Sequence, residues 1–236
     1  MTVRSVMAVP NSAVEVPTCT GDACTVTREL PIRSFAPLVF VDCVPIGMKV
    51  TSVITDNFGA AHEAVRYLIG LGHKKIAAIF GQLIHSTILD RVEGYRQAMR
   101  ESNLGITEEY PRQAGSFIES GYQCVMSLFQ SPDPPTAIFA MNNRMTLGAV
   151  RALRELGIVC PDRVSVMGFD DFEWAAVFDP DLTAIAQPTF EMGTKAVELL
   201  VGLIRSAENA EEAEPQQIVL KSSLRIRGST GPAPKG

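Results

Sequence analysis

The stretch Val164–Pro188, VSVMGFDDFEWAAVFDPDLTAIAQP, decides how we interpret this chain. It opens with an apolar run typical of a buried strand, which stops at two adjacent carboxylates, Asp170 and Asp171. A second apolar run, Leu182–Ala186, ends at Gln187. Open α/β sheets bind ligands at the carboxyl edge of their parallel strands, which is where such polar side chains lie. The stretch therefore predicts a cleft with Asp170 pointing into it.

Similar strands recur along the chain and alternate with amphipathic helical patterns. One strand, Pro37–Val41, ends at a carboxylate, Asp42, and another, Thr136–Ala140, leads to Asn142 and a predicted helix from Asn143 to Leu156. This alternation indicates parallel sheets with right-handed crossovers, and so predicts an α/β fold.

Composition narrows the classes of protein that the chain can belong to. Its 236 residues are enough for one large domain or two small ones. A net charge of −5 argues against a broad basic surface for nucleic acid. No apolar run approaches the ~20 residues that span a bilayer. Because Met1–Ala23 makes a poor secretory signal, we predict a cytoplasmic protein that does not bind membranes.

Neither metal chemistry nor catalysis has a clear signal in the sequence. The five cysteines lack metal-finger spacing, and although Cys19 and Cys24 could bridge, the others resemble small buried apolar residues. The chain has no GxSxG, GxxxxGK[ST] or GxGxxG motif. Asp170 and Asp171 could support acid–base or metal chemistry, but spacing supplies no third ligand. We therefore expect that the protein binds no cofactor and no metal, and that it is not an enzyme.

Seven segments in order resemble the effector-binding core of LacI/GalR-type transcriptional regulators. The resemblance covers Pro37 to Thr230. The segments are VFVD, DNFGAAHEAVRYLIGLGHKKIAAIFG, DRVEGYRQAM, PTAIFAMNNRMTLGAV, VSVMGFDD, PDLTAIAQPTFEMG and LRIRGST. The resemblance implies a periplasmic-binding-protein-like fold, in which two parallel-sheet subdomains are joined by three crossovers and hold a small ligand in a cleft.

The resemblance also implies how the chain divides, with an incomplete N-terminal subdomain. We expect an irregular segment at 1–36, a partial N-terminal subdomain at 37–54 plus 188–213, a C-terminal subdomain at 55–187 plus 214–230, and a mobile tail at 231–236. The family's helix-turn-helix and hinge helix have no counterpart in residues 1–36. Apolar side chains of the partial subdomain should then lose cover, which favours association or aggregation: Val39–Val41 and the stripe through Leu199, Leu200, Leu203 and Ile204. We therefore expect this half to be loosely ordered or shielded by a partner.

Asp170 and Arg91 are the first two residues that the resemblance assigns to ligand binding. Asp170 would hydrogen-bond the ligand, with capping of a helix at 172–177 as its alternative role; Asp171 fits that cap better. Arg91, early in a helix, would contact ligand hydroxyls or a carboxylate, and its alternative is a surface salt bridge with Asp90 or Glu93.

The other matched positions have weaker support. Asn142 could donate to a ligand hydroxyl or cap the next helix, and Phe117 could be an aromatic platform for a sugar or purine face or an ordinary core residue. The remaining matches are Gln187, Asp42, Thr87 and His85. We expect His62 on a helix surface and His73 at a helix end.

Together these patterns predict a homodimeric sensor of a small polar effector, a sugar or related polyol, with the helix from Asn143 to Leu156 in the dimer interface. DNA is a partner that the family implies, although we do not expect this chain alone to bind an operator. A transport-linked sugar-binding protein of the same fold is the second hypothesis. A hydrolase that uses Asp170 and Asp171 is the third.

Overall fold

The structure, a computed structural model, describes residues 14–20, 23–30, 37–105, 110–115, 117–209 and 213–235, with only the backbone described at 14–20, 23–30 and 111. The chain forms two compact units, Met1–Ile54 with Thr189–Leu220, and Thr55–Pro188 with Lys221–Gly236. We call them the smaller and the larger unit.

The strands are β1 Val14–Thr20, β2 Ala23–Leu30, β3 Phe40–Val41, β4 Ser52–Thr55, β5 Ile76–Phe80, β6 Pro111–Gln113, β7 Ala137–Ala140, β8 Ser165–Phe169, β9 Thr183–Ala186, β10 Gln217–Leu220 and β11 Ser223–Arg225. The α-helices are α1 Asn57–Gly70, α2 Ser86–Glu101, α3 Ile118–Leu128, α4 Asn143–Glu155 and α5 Thr189–Glu208, and a 3-10 helix spans Glu173–Val177.

The larger unit is built on a six-stranded sheet of order β11-β9-β8-β7-β5-β6. Its strands are parallel except for β11, which pairs antiparallel with β9. Every residue of β5, β7 and β8 is buried, which explains their continuous apolar sequences. One core cluster joins the sheet to α1 and α2, and a second joins it to α3 and α4. The predicted α/β, periplasmic-binding-protein-like fold is confirmed.

The smaller unit contains a three-stranded sheet of order β10-β4-β3, the helix α5 and the antiparallel pair β1–β2. The expectation of irregular structure at 1–36 is wrong for β1 and β2, which pair from Val14–Leu30 to Thr20–Ala23. Val14, Val16, Thr18 and Thr20 occupy alternate positions of β1, which favours a strand although Pro17 lies within it. The rest of that segment, residues 1–13, 21–22 and 31–36, lies outside the described residues.

The expected mobile tail is instead bonded to the larger unit as far as it is described. The Gly231 backbone N–H donates to Ser165 Oγ at 3.0 Å, and the Ala233 N–H donates to the Leu71 carbonyl at 2.9 Å. The prediction of mobility is therefore wrong for these residues. Glycine and proline are common both in flexible segments and in hydrogen-bonded turns, so composition alone does not distinguish the two.

Candidate functional site

The carboxyl ends of the parallel strands in the larger unit carry most of the predicted site residues. Asp170 follows β8, Gln187 follows β9 and Asn142 follows β7, while Phe117 lies in the connection from β6 to α3. Arg91 lies in the second turn of α2, which follows β5. We therefore take this edge of the sheet as the candidate site.

Asp170 begins a short chain of side-chain hydrogen bonds. Gln187 Nε2 donates to Asp170 Oδ1 at 2.6 Å, and Thr55 Oγ1 donates to Gln187 Oε1 at 2.7 Å. The Asp170 backbone adopts a φ of +78°, in the left-handed region, while its N–H donates to the Ile185 carbonyl. These contacts turn the chain sharply after β8 and fix one carboxylate oxygen at the strand end.

Neither aspartate has the capping role that the sequence suggested. Phe172 is the N-cap residue of the 3-10 helix, and no side chain caps it. Asp171 instead binds Arg227 through two hydrogen bonds of 2.7 and 2.8 Å, and Arg227 also donates to the Leu182 carbonyl. Hydrogen bonding of Arg227 to the Asp171 carboxylate is the main cause of the raised pKa of Arg227. The capping prediction for Asp171 is therefore wrong, because an arginine distant in sequence lies within reach.

Arg91 is not a surface residue, so the salt-bridge alternative is wrong. Its side chain is only 4% exposed. Nε donates to Asn57 Oδ1 at 2.8 Å, Nη1 donates to the Met141 carbonyl at 2.7 Å, and the guanidinium lies 3.5 Å from the centroid of the Phe169 ring. Arg91 therefore links the start of α1 to the residues at the ends of β7 and β8.

Asn57 is the residue of this cluster that sequence reasoning missed. It is the first residue of α1, is 2% exposed, and donates from Nδ2 to the Thr55 carbonyl while accepting from Arg91. Its place at a helix start suggests a cap, yet Asp56 is the residue that caps α1, by accepting from the Gly59 N–H. An asparagine just after a buried strand was the available signal.

Asp90, next to Arg91, has a raised pKa. Burial is the largest cause and repulsion from Asp56 adds to it, while Arg91 opposes it. Two carboxylates and a buried guanidinium thus lie near the starts of α1 and α2.

Asn142 has the capping role and keeps a free donor. Its Oδ1 accepts from the Met145 N–H at 2.7 Å at the start of α4. Within the part of the chain that the structure describes, its Nδ2 has no hydrogen-bond partner. Capping and donation to a ligand are therefore compatible, because they use different atoms.

Phe117 is half-buried and packs with the Arg144 guanidinium 4.9 Å from its ring centroid. Thr87, in the first turn of α2, is buried, and His85 is the half-buried N-cap residue of that helix. Asp42, with a φ of +68°, belongs to the smaller unit, where its N–H donates to the Val53 carbonyl at 2.9 Å. The larger unit therefore contains seven of the eight predicted residues.

Metal and membrane sites have no structural basis in the described ranges. Among these residues, no group of three or more His, Cys, Asp or Glu side chains could hold a metal ion. No described helix is both long and apolar enough to cross a bilayer.

Comparison with known proteins identifies relatives that share this architecture. The family model of the periplasmic binding protein-like domain matches residues 65–230. The "HTH-type transcriptional repressor PurR" of Histophilus somni (strain 129Pt) is 36% identical over 192 residues, which are 79% of this chain and 57% of the relative. The chain thus spans a little over half the length of the curated relatives it matches.

Two solved structures have the same fold. A regulatory protein of the LacI family from Chloroflexus aggregans is similar with a TM-score of 0.73 and 33% identity, over 83% of this chain and 69% of that one. A LacI family transcriptional regulator from Enterococcus faecium, solved with bound ribose, has a TM-score of 0.73 and 28% identity, over 83% of this chain and 71% of that one.

Proposed function

Because this chain belongs to the periplasmic binding protein-like domain family and matches the effector-binding domains of LacI-type transcriptional regulators, we propose that it binds a small polar effector, a sugar or related polyol, at the carboxyl edge of the larger unit. Binding would adjust the activity of a transcriptional regulator. The observation that carries the proposal is the hydrogen-bond chain from Thr55 through Gln187 to Asp170.

The chemistry of this edge suits a molecule with several hydroxyl groups. Asp170 uses one carboxylate oxygen to accept from Gln187, so its other oxygen remains an acceptor for a ligand hydroxyl. Asn142 offers a donor from Nδ2, and the Phe117 ring offers an apolar face. Polar groups on one side and an aromatic face on the other are typical of sites for small polar ligands. The ribose bound to the relative from Enterococcus faecium supports this class of effector.

Signalling would depend on the difference in effector affinity between two conformations, since no other free energy is available to shift them. The relatives described above are named as repressors and regulators, not as enzymes. The hydrolase hypothesis also loses its second carboxylate, because Asp171 is bound to Arg227.

A thermal-shift screen over sugars, polyols and nucleosides tests this proposal. A ligand at 100 times its dissociation constant adds ~2.7 kcal/mol to the free energy of unfolding, a shift that such a screen detects. We expect Asp170→Ala to abolish the shift of any true effector. Asp133→Ala is the control, because Asp133 pairs with Lys75, which precedes β5 at the opposite edge of the sheet. A shift that survives Asp170→Ala would contradict the proposed site.

We place a homodimer interface along α4 as part of the same proposal. A groove of ≈ 870 Å³ beside this helix is lined mainly by apolar side chains, including Val150, Val159 and Val177, which is 80% exposed. The charged residues of its lining are Arg151, Arg154 and Asp179. An apolar surface of this kind suits a second copy of the chain. Light scattering should then give the mass of a dimer for the wild type and of a monomer for Val177→Asp. A dimeric mass for both proteins would contradict an interface along α4.

A further inference from the structure

Two arginines of α4 stack on aromatic rings, but only one of them is paired with a carboxylate. The Arg151 guanidinium lies 4.3 Å from the Tyr122 ring centroid and pairs with Glu119 at 3.2 Å. The Arg144 guanidinium lies 4.9 Å from the Phe117 ring centroid, and across the described residues it has no ion-pair partner. Arg144 is also exposed, so its charge is available to a ligand.

The uncompensated arginine is the one at the candidate site. Arg144 is the second residue of α4, two positions after Asn142, whereas Arg151 lies seven residues further on, about 10 Å along the helix axis. The neighbouring Asn143 accepts from the Arg144 backbone N–H at 2.7 Å and brings no negative charge. A cation therefore lies at the carboxyl edge of the sheet.

Phe117 and Arg144 meet because α3, which begins directly after Phe117, packs closely against α4. The strand order places β6 two positions from β7, about 10 Å away, yet the two side chains are in contact. The strand that ends at Asp170 is the neighbour of β7 on the other side, about 5 Å away. The edge therefore has a carboxylate at β8 and a cation on an aromatic ring toward β6.

We propose that the effector carries an anionic group, a phosphate or a carboxylate, which Arg144 binds. This inference rests on the proposed function. The hydroxyl-bearing part of the same molecule would lie at Asp170 and Gln187. A guanidinium binds phosphate and carboxylate through paired hydrogen bonds, whereas the Asp170 carboxylate repels an anion. The two charges thus fix the direction in which the molecule binds, and select an acidic sugar derivative over its neutral parent.

Matched pairs of ligands test this inference with the full chain. Dissociation constants would be measured by calorimetry for ribose and ribose 5-phosphate, and for glucose, glucose 6-phosphate and glucuronate, with inorganic phosphate alone as a further probe. We expect an anionic member to bind at least about tenfold more tightly than its neutral parent, with an advantage that declines as salt increases. Phosphate and carboxylate are distinguished by whether glucose 6-phosphate or glucuronate has the advantage.

Arg144→Gln should remove that advantage, so that the dissociation constants of the anionic and neutral members become equal within the variant. Arg151→Gln is the matched control, since it removes the same charge from the same helix at a compensated position, and it should preserve the advantage. Equal binding of neutral and anionic members by the wild type, or an advantage that survives Arg144→Gln, would overturn this inference and leave the proposed function intact. Failure to bind any member of the panel would count against the proposed function itself.

Discussion

Arg91 carries a permanent charge but is only 4% exposed, so protein atoms must replace the water that would surround it. Asn57 Oδ1 and the Met141 carbonyl accept from it, and the Phe169 ring lies against its guanidinium. These partners belong to the start of α1 and to the ends of β7 and β8 in the larger unit. Arg91 is therefore a positioning residue for this edge, whether or not it also contacts an effector.

Replacing Arg91 with methionine should destabilise the larger unit. Arg91→Met keeps most of the side-chain volume but leaves Asn57 Oδ1 and the Met141 carbonyl without their donor, which we expect to lower the free energy of unfolding by about 2–3 kcal/mol. Urea denaturation followed by circular dichroism measures the change. Arg100→Met, at an exposed position of the same helix, should change stability little. Equal effects of the two substitutions would show that the buried contacts contribute nothing.

His73 follows α1, as expected for a helix-end residue, but it is fully buried. Its Nδ1 lies 3.0 Å from Thr136 Oγ1, and its Nε2 lies 3.0 Å from the Gly231 carbonyl. Burial lowers the pKa of His73, against a smaller opposing effect of the Gly231 hydrogen bond. The neutral imidazole therefore joins the C-terminal segment to the body of the larger unit.

Stability should therefore depend on pH through His73. A histidine with a lowered pKa binds a proton more readily in the unfolded chain, so its contribution is complete above the ordinary value of 6.5 and is lost as the pH falls below it. We expect a decline of up to about 1.4 kcal/mol per pH unit in the wild type below that value. His73→Gln, which keeps a donor for Gly231, should have a flatter profile in urea denaturation from pH 7.5 to 5.5. Parallel profiles would exclude His73 as the cause.

At the scale of whole elements, two glycines allow α3 and α4 to pack closely. A Cβ at Gly148 would overlap the Ile118 carbonyl and approach the Tyr122 backbone nitrogen at 2.7 Å, and a Cβ at Gly121 would approach the Met145 carbonyl at 2.6 Å. Close packing of backbones allows no side chain at these points. It also brings Phe117, just before α3, to Arg144 near the start of α4.

Gly148→Ala should therefore separate these helices and lower the free energy of unfolding by about 1–3 kcal/mol, because the opposing atoms are backbone atoms that cannot rotate away. Gly202→Ala in α5 is the matched control: nothing lies within 4 Å of its Cβ position, so the same substitution should stabilise its helix by about 0.5–1 kcal/mol. Thermal denaturation of both variants measures the two effects. A stabilising Gly148→Ala would mean that α3 and α4 can move apart without loss.

The strands of the structure differ in how well the sequence predicts them. The strands β5, β7 and β8 are continuous apolar runs because both faces of the sheet are covered by helices, so their positions and their polar ends at Asn142 and Asp170 were predictable. The pair β1–β2 was not, since Pro17 interrupts the Val and Thr residues at alternate positions of β1.

Most of the site contacts that the sequence did not predict join residues that are distant in sequence. Asp171 binds Arg227 across 56 positions, Gln187 binds Thr55 across 132, and Arg91 binds Asn57 across 34. Local patterns identify a polar residue at a strand end, but they do not state which side chain the fold brings to it. The position of Asp171 after a strand was therefore predictable from the sequence. Whether its carboxylate caps a helix or pairs with an arginine was not.

At the scale of the whole molecule, the two units differ in how much apolar surface they bury. Both core clusters belong to the larger unit. In α5 of the smaller unit, Met192 is buried, whereas Phe190 is 89% and Val197 61% exposed. The predicted loss of cover is confirmed for Val41 and Ile204, which are exposed, and is wrong for Phe40, which is buried. The other predicted side chains are half-buried: Val39, Leu199, Leu200 and Leu203. Among the side chains that the structure describes, few are thus buried in the smaller unit.

This difference should appear in amide hydrogen exchange. Local stability follows the burial of apolar contacts, so amides of β5, β7 and β8 should open only with the larger unit, whereas those of β3, β4 and β10 should open more easily. We expect amide exchange to be at least about a hundredfold faster in residues 37–54 than in 136–168. That ratio corresponds to a difference of about 2.7 kcal/mol between the free energies of local opening. Mass spectrometry of peptides from the two ranges measures the rates in one sample. Equal protection of the two ranges would contradict this prediction, because it would mean that the smaller unit is as stable as the larger one.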